Sequence, residues 1–301
     1  MHVFVTGGTG QTGPAVVAEL IAAGHTVTGL ARSDAAAARL EALGATPIRG
    51  SLTDLDVLRR GAEAADGILH MAYDFFDPDN RVQLDLAAIE ALGRPLEGSG
   101  RPLVITSGTA VMPAGRVTTE KDEPDRNGLA AYRIAGEDAA LDFAGRGVRA
   151  VVVRLAPTVH GPQDRGFIHM FIDTTRKAGV SAYVEDGSNR WPAVHRLDAA
   201  VLFRLALEKA PTGSVLHGAS ENVVFKDIAE LVARRLGLPT VSLAPEEAEP
   251  FFENPFLAKV YGYDGPVSST YTQELLGWSP KHPTLLEDIE HGDYLTTGSA
   301  A

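Results

Sequence analysis

Short, nearly continuous apolar runs alternate with amphipathic segments along the first half of the chain. Continuous hydrophobicity is typical of parallel strands that are covered on both faces. The predicted strands are His2–Thr6, Thr26–Ala31, Thr46–Gly50, Gly67–Ala72, Leu103–Ser107 and Ala150–Leu155. The predicted helices between them are Pro14–Ala23, Ala35–Leu43, Leu55–Ala64, Asn80–Leu92 and Ala130–Gly145. This alternation predicts an α/β fold with a doubly wound parallel sheet.

The pattern of apolar positions changes after Pro157, and the elements become less regular. Two short apolar stretches, Tyr183–Val184 and Ala193–Val194, flank the turn signal Asp186-Gly187. This arrangement predicts a β-hairpin. The other predicted elements are the helices Phe167–Ala178, Leu197–Leu207 and Phe225–Leu236 and the strand Val215–His217. The last residues, Thr296–Ala301, are predicted to form a flexible end.

A glycine-rich turn joins the first strand to the first helix, and Thr6 to Gly13 reads TGGTGQTG. Gly7 permits the tight turn, Gly10 lets a pyrophosphate approach the backbone, and Gly13 lets the helix pack closely. The helix N-terminus then offers N–H groups and a partial positive charge to phosphates. The motif therefore predicts dinucleotide binding. The predicted contacts are Gly7, Thr9, Gly10, Gln11, Thr12 and Gly13.

The end of the second strand indicates which dinucleotide binds. An NAD site usually places an acidic residue there for the ribose 2′-hydroxyl. Arg32 and Ser33 stand there instead, and a guanidinium suits a 2′-phosphate. NADP(H) is therefore the predicted cofactor. NAD(H) stays open as the alternative because Asp34 follows immediately.

The glycine turn and the change of pattern together define the predicted domain organisation. Residues 1–160 are predicted to form a dinucleotide-binding Rossmann domain, to which residues 193–220 return. Residues 161–192 and 221–295 are predicted to form a smaller C-terminal substrate lobe.

Composition narrows the function classes. The chain has 301 residues and a formal net charge of −12, without a dense basic run, so nucleic-acid binding is not expected. It has no cysteine, which excludes disulfides and thiolate chemistry. The histidines show no metal-ligand spacing, so no metal is predicted. Without a signal peptide or a membrane span, a cytoplasmic protein is expected.

Several segments, in order, resemble the short-chain dehydrogenase/reductase superfamily in its extended or atypical branch, which includes epimerase-like and 3β-hydroxysteroid-dehydrogenase-like proteins. Besides the glycine turn, they are Gly50–Asp54, His70–Ala72, Val104–Thr109, Arg154–Gly161 and Val194–Ala200. The resemblance implies further cofactor contacts at Ser51, Leu52, Met71, Ala72, Pro157 and Thr158. It also implies a homodimer through residues 80–92 and 130–145, with a monomer as the alternative.

The family's catalytic helix carries a YxxxK motif, and this chain departs from it. In the family, the tyrosine exchanges a proton with the substrate, and the lysine lowers the tyrosine's pKa and binds the nicotinamide ribose. Here Tyr132 is followed four residues later by Gly136, and a register slip gives only Arg133 and Glu137. Tyr132 is expected to donate a proton better than it accepts one, which favours carbonyl reduction. A packing role without chemistry stays open for Tyr132, and Lys121 is a candidate cation from a nearby loop.

Other candidate site residues follow strands four and five and the segment after strand six. Ser107 or Thr109 is predicted to polarise a substrate carbonyl, and the sequence does not choose between them. Tyr73 is a second candidate proton donor or a substrate-shaping aromatic residue. The substrate contacts are predicted to be Tyr73, His160 and Trp191.

The predicted function is that of an NADP(H)-dependent oxidoreductase that reduces the ketone or aldehyde of a small organic substrate by hydride transfer. The alternative is a cofactor-binding relative without conventional redox turnover, such as an isomerase, an epimerase or a cofactor sensor. The incomplete YxxxK motif motivates this alternative.

Overall fold

A computed structural model describes residues 1–75 and 77–296; the predicted flexible end lies outside the described residues from position 297 onward. The strands in this part of the chain are β1 (His2–Thr6), β2 (Thr26–Ala31), β3 (Thr46–Arg49), β4 (Gly67–His70), β5 (Pro102–Gly108), β6 (Arg149–Leu155), β7 (Thr158–His160), β8 (Ser181–Val184), β9 (Arg190–His195), β10 (Ser214–Gly218), β11 (Glu221–Val224) and β12 (Thr240–Leu243).

The helices of the described residues are α1 (Gly13–Ala22), α2 (Asp34–Ala42), α3 (Leu55–Glu63), α4 (Arg81–Gly93), α5 (Ile134–Asp142), α6 (Phe167–Ala178), α7 (Arg196–Lys209), α8 (Phe225–Leu236), α9 (Pro245–Phe252), α10 (Pro255–Tyr261), α11 (Thr270–Leu276) and α12 (Leu285–His291). The elements β1, β2, α6 and α8 begin and end where the sequence pattern predicts.

Seven parallel strands form the central sheet, in the order β10-β6-β5-β4-β1-β2-β3. The predicted doubly wound α/β fold is therefore confirmed. The strand order reverses between β1 and β4, and a ligand of such a sheet binds beyond the carboxyl ends of the strands at this point.

Helices cover both faces of the sheet because successive strand residues point to opposite sides. Val3 and Val5 pack with α1 and α7 on one face. Phe4 packs with α3, α4 and α5 on the other face. The central strands β1, β4, β5 and β6 are thus buried on both sides, which explains their continuous apolar runs.

The C-terminal part has its own aromatic core and two small sheets. Phe171, Trp191, Phe225 and Tyr261 pack together at its centre. One sheet has the order β11-β9-β7, and the other joins β12 to β8.

The predicted hairpin around Asp186-Gly187 is wrong. The chain does turn there, since Gly187 adopts a positive φ of 70° and donates to the carbonyl of Val184. However, β8 pairs with β12, whereas β9 pairs with β7 and β11. The local turn signal predicts a reversal of the chain, but the strands on either side of the turn pair with strands that are distant in sequence.

The predicted helix Ala130–Gly145 is divided. A 3₁₀ turn, Ala131–Arg133, precedes α5, and a second one follows it. Tyr132 therefore lies in the 3₁₀ turn before α5, and not within a continuous α-helix.

The segment 193–220 contributes α7, which packs on α1, and β10, which pairs with β6. The division into domains at residue 160 stays a prediction. Among the described residues, no helix combines the length and the apolarity needed to cross a membrane.

Candidate active site

A cavity of about 930 Å³ lies at the carboxyl ends of the central strands, where the strand order reverses. This volume falls in the upper range of ligand sites. All the residues predicted to contact the cofactor line it: Gly7, Thr9, Gly10, Gln11, Thr12, Gly13, Arg32, Ser33, Ser51, Leu52, Met71, Ala72, Pro157 and Thr158.

The glycine turn forms the middle of the cavity wall. Gly7 has a positive φ of 74°, and a Cβ there would lie 2.7 Å from the backbone nitrogen of Ala72. A Cβ on Gly13 would overlap the carbonyl of Gly7. Thr12 makes no side-chain cap on the N-terminus of α1. The glycine positions and the uncapped N-terminus of α1 thus leave backbone N–H groups open to a pyrophosphate, and this fits a dinucleotide.

Two arginines line one end of the cavity, which we call the adenine end. Arg32 follows β2, and Arg39 projects from α2. The Asp34 carboxylate is paired with Arg49 at 3.3 Å. The Ser33 hydroxyl caps α2 by accepting from the Ala36 nitrogen. Sequence reasoning missed Arg39, which lies three residues after Ala36 and on the same face of α2; both line the cavity.

Hydroxyl groups mark the opposite end, which we call the nicotinamide end. The Ser107 hydroxyl and the Thr158 hydroxyl are buried and have no hydrogen-bond partner among the described residues. Both residues line the cavity. Thr109 is also buried, but it lies outside the cavity wall, so the geometry favours Ser107 over Thr109 for contact with a ligand.

Two tyrosines and two arginines stack beside these hydroxyls. The rings of Tyr73 and Tyr132 lie 6.2 Å apart. The Arg133 guanidinium lies 3.6 Å from the centre of the Tyr73 ring, and the Arg81 guanidinium lies 3.9 Å from that of Tyr132. Burial raises the pKa of Tyr73, an effect that nearby Arg133 opposes. The Tyr73 phenol is therefore neutral at physiological pH.

Asp85 occupies the space beside Gly136, where the family motif has its lysine. A Cβ on Gly136 would lie 2.7 Å from Asp85 Oδ2. Lys121 does not compensate, because it is exposed, faces Tyr271 and lies outside the cavity wall. The slipped register does not form a pair either, since Glu137 is paired with Arg154 at 2.6 Å.

A buried hydrogen-bonded chain runs from the glycine turn to Asp85. Thr6 Oγ1 lies 2.7 Å from His70 Nδ1, and His70 Nε2 lies 3.1 Å from Asp85 Oδ1. The Thr6 hydroxyl also accepts from the Ala72 nitrogen. A His70 tautomer that donates from Nε2 to Asp85 accepts the Thr6 proton at Nδ1, so one tautomer satisfies all three groups. Sequence reasoning missed Asp85, because its partners are distant in sequence.

Aromatic side chains form the wall beyond the nicotinamide end. Phe75, Phe167, Phe256 and Tyr263 line the cavity there, and Phe75 and Phe256 are exposed at its rim. Tyr263 donates to the Met112 carbonyl, and burial raises its pKa to about 12. Its hydroxyl thus makes a structural hydrogen bond within the protein.

The predicted substrate residues have different positions. Tyr73 lines the cavity, and so does Trp191, although Trp191 is fully buried and donates to the Val260 carbonyl. His160 lies outside the cavity wall, where its Nδ1 is 2.6 Å from Asp288 Oδ2. This contact fixes His160 within the C-terminal part.

Asp164 ties the glycine turn to the segment after β7. It accepts hydrogen bonds from the Gln11 side chain, the Gly166 nitrogen and the Tyr294 hydroxyl. Burial and the neighbouring carboxylate raise the pKa of Tyr294. Gln11, a predicted cofactor contact, therefore also closes one side of the cavity.

A histidine-rich group lies near this segment. Potential ligand atoms of His195, Asp198 and His282 lie within 4.8 Å of one another. The Asp198 carboxylate already accepts from the Lys281 nitrogen and from the backbone and ring of His282. The expectation that the chain binds no metal stays a prediction.

The fold and the cavity together define a dinucleotide-binding protein of the extended short-chain dehydrogenase/reductase type. Comparison with known families agrees, since the model of the NAD dependent epimerase/dehydratase family matches residues 3–217. The chain belongs to this family. It is accordingly a nicotinamide-dinucleotide-dependent protein of the oxidoreductase or epimerase type.

Three similar proteins show the range of its relatives. Uncharacterized protein C2A9.02 of Schizosaccharomyces pombe is 45% identical over 98% of this chain and 100% of its own length. A 4-hydroxy-2-methyl-3-oxo-4-farnesyl-3,4-dihydroquinoline-1-oxide ketoreductase of Stigmatella aurantiaca is 30% identical over 71% of this chain and 67% of its own. The dTDP-glucose 4,6-dehydratase DesIV of Streptomyces venezuelae, solved with NAD, has a TM-score of 0.77 at 18% identity, covering 97% of this chain and 95% of its own. The last likeness concerns the fold alone.

Proposed function

We propose that this protein is an NADP(H)-dependent reductase of the ketone or aldehyde group of a small, apolar organic substrate. One observation carries the proposal. A single cavity has two arginines at its adenine end and, at its nicotinamide end, an unpaired serine hydroxyl and a tyrosine below an aromatic wall.

The adenine end supports the choice of NADP(H). A 2′-phosphate is a strong acceptor for guanidinium groups, and Arg32 and Arg39 both line this end. The acidic residue that would favour a 2′-hydroxyl is Asp34, and it does not line the cavity. The glycine turn and the N-terminus of α1 would hold the pyrophosphate.

The nicotinamide end supports carbonyl reduction. NADPH, when bound, supplies the hydride. The Ser107 hydroxyl donates to the substrate carbonyl oxygen and polarises it, and Tyr132 gives its phenolic proton to the oxygen as the alcohol forms. A neutral phenol is suited to this donation, whereas the oxidation of an alcohol would need a base.

The aromatic wall supports an apolar substrate. Phe75, Phe167 and Phe256 line the cavity, and the Phe75 ring lies 4.9 Å from that of Tyr73. The cations in the wall, within the described residues, are Arg32, Arg39 and Arg133. Two of them lie at the adenine end, so a nucleotide-sugar diphosphate would find few partners beyond the cofactor. The ketoreductase name of one relative agrees with a carbonyl substrate.

The second candidate is a protein that binds the cofactor without conventional turnover, and Gly136 in the lysine position favours it. Titration of the purified protein with NADPH separates the two. Reduced-nicotinamide absorbance is then followed with apolar ketones, aldehydes and enones, and with nucleotide sugars as a contrasting set. We expect binding and consumption with an apolar carbonyl. Tight binding without consumption of any substrate would overturn the reductase proposal.

A further inference from the structure

Arg133 and Gly136, which stands where the family motif has its lysine, both face Asp85 Oδ2. Arg133 belongs to the 3₁₀ turn before α5, one residue after Tyr132, and its side chain is 10% exposed. It lines the cavity at the nicotinamide end, together with Ser107 and Tyr132. The sequence therefore keeps a positive charge at this end, although not at the fourth residue after the tyrosine.

Three groups hold the Arg133 guanidinium in place. Nη2 donates to the Thr106 carbonyl at the end of β5. The flat face of the guanidinium lies on the Tyr73 ring at 3.6 Å, a distance at which a cation and an aromatic ring attract each other. Asp85 Oδ2 lies 3.7 Å from Nη1. An arginine fixed on three sides presents its remaining donors in a defined direction.

Nη1 is a buried donor that these contacts leave free. It has no hydrogen-bond partner among the described residues. Its distance from Asp85 exceeds that of a hydrogen bond, so the ion pair does not satisfy it. A buried, charged donor without a partner is costly unless a ligand completes it.

Asp85 belongs to the same arrangement and also explains the missing lysine. It receives a hydrogen bond from His70 on one oxygen and faces Arg133 and Gly136 with the other. A side chain at position 136 would displace this carboxylate. In this chain, Asp85 thus occupies the space beside Gly136 that a lysine would need, and Arg133 provides a cation from another position.

We propose that Arg133 takes over the lysine's role at the cofactor, with Nη1 binding the hydroxyl groups of the nicotinamide-side ribose. Tyr73 and Asp85 are positioning residues that orient it. The inference rests on the dinucleotide binding in the proposed function, but it does not depend on turnover. On this inference, the cation that the incomplete motif lacks at position 136 is supplied by position 133.

The test compares two ligands that differ by the nicotinamide riboside end. NADPH and 2′,5′-ADP share the adenine end and the 2′-phosphate, and 2′,5′-ADP lacks the nicotinamide-side ribose. For Arg133→Met we expect NADPH to bind about tenfold more weakly or worse, because a charge-assisted hydrogen bond is lost. The affinity for 2′,5′-ADP should change by less than about twofold. Both dissociation constants are measured by calorimetry.

Arg81→Met is the matched control. It removes an equal charge from a guanidinium that stacks on the neighbouring Tyr132 but does not line the cavity. It therefore reports the long-range effect of charge on the phosphates, and the ratio of the two affinities should stay at the wild-type value. If Arg133→Met does not fold, Arg133→Gln keeps the polarity without the charge, and the same ratio decides.

The outcomes separate this inference from the reductase proposal. A ratio that shifts in Arg133→Met, in a wild-type protein that consumes no carbonyl, upholds the inference and overturns the reductase. Turnover in the wild type with an unchanged affinity ratio in Arg133→Met would uphold the reductase proposal and overturn the inference about Arg133. Equal losses for both ligands would show that Arg133 acts through the fold alone and would overturn the inference, as would failure of the wild type to bind NADPH.

Discussion

Gly136 shows how a single residue decides which charged group can lie beside it. Its missing side chain leaves room for the Asp85 carboxylate, which lies within 2.7 Å of where a Cβ would stand. Because Asp85 is fixed by His70 and faces Arg133, the glycine is linked to the position of the cation.

We expect Gly136→Ala to lower the free energy of unfolding by about 1 kcal/mol. Alanine gains about 1 kcal/mol of helix propensity over glycine, but the forced shift of a buried carboxylate costs about 1–3 kcal/mol. Urea denaturation measures the difference. Gly145→Ala is the control, since a Cβ there would have no neighbour within 4 Å. Equal stability changes in both variants would contradict the role of Asp85.

A second residue-scale prediction concerns the proton donor. Tyr132→Phe removes the phenol but keeps the ring, so we expect kcat for carbonyl reduction to fall about 10²-fold or more, with little change in KM. Steady-state kinetics with NADPH measures this. Tyr73→Phe is the matched variant. If kcat falls in Tyr73→Phe and stays at the wild-type value in Tyr132→Phe, Tyr73 and not Tyr132 is the proton donor.

The sequence could predict residues that act through local backbone geometry. Gly7 and Gly13 are required by the turn itself, and the motif names them directly. Asp85, Arg133 and Asp164 could not be found in this way. They matter through contacts with Gly136, Thr106 and Gln11, and only the folded chain brings these pairs together.

At the scale of elements, the adenine end is built jointly by the end of β2 and one face of α2. Ser33 caps α2 and so fixes where this face begins. Arg32 and Arg39 then reach the same end of the cavity from two elements. The second arginine becomes visible only when the helix face is known.

We expect Arg32→Ala and Arg39→Ala each to weaken NADPH binding by about tenfold while leaving NADH binding nearly unchanged. The lost interaction is with the 2′-phosphate, which NADH lacks. Fluorescence titration with both cofactors measures the effect. Equal losses for both cofactors in Arg32→Ala would contradict the phosphate assignment.

Element-scale prediction succeeded where burial determines the pattern. The central strands β1, β4, β5 and β6 are apolar on both faces, so they could be recognised directly in the sequence. The prediction of a hairpin at Asp186-Gly187 failed, because a turn signal shows where the chain reverses and not which strands pair. The 3₁₀ turn at Ala131–Arg133 was also missed, since apolar spacing alone does not distinguish it from the start of a helix.

At the scale of the whole molecule, the C-terminal part contributes a buried group that should make stability depend on pH. Burial and neighbouring His160 lower the pKa of His195 to about 4, although Asp288 opposes the shift. The pKa of a histidine in an unfolded chain is about 6.5. Between these values the unfolded chain binds a proton that the folded chain does not, so the free energy of unfolding falls as the pH falls.

We expect this slope to be smaller in His195→Asn. Asparagine can still accept from the Leu197 nitrogen, as His195 does, but it does not titrate. One proton contributes at most about 1.4 kcal/mol per pH unit. Urea denaturation at several pH values from about 7 to about 4 measures both slopes. Parallel curves for the two proteins would remove His195 from the account of acid stability.

The assembly of the whole molecule stays a prediction. Helices α4 and α5, which cover the segments predicted to form a homodimer, pack side by side on one face of the sheet. The same face carries Asp85 and the turn with Arg133, so an interface there would lie directly behind the cavity wall.

Hydride transfer is the central claim, and isotope transfer tests it most directly. NADPH carrying deuterium at the transferable C4 position is incubated with the best apolar carbonyl substrate, and the alcohol is examined by NMR. The account predicts one deuterium at the former carbonyl carbon and equal consumption of cofactor. A bound but unconsumed cofactor, or an alcohol without deuterium, would contradict it.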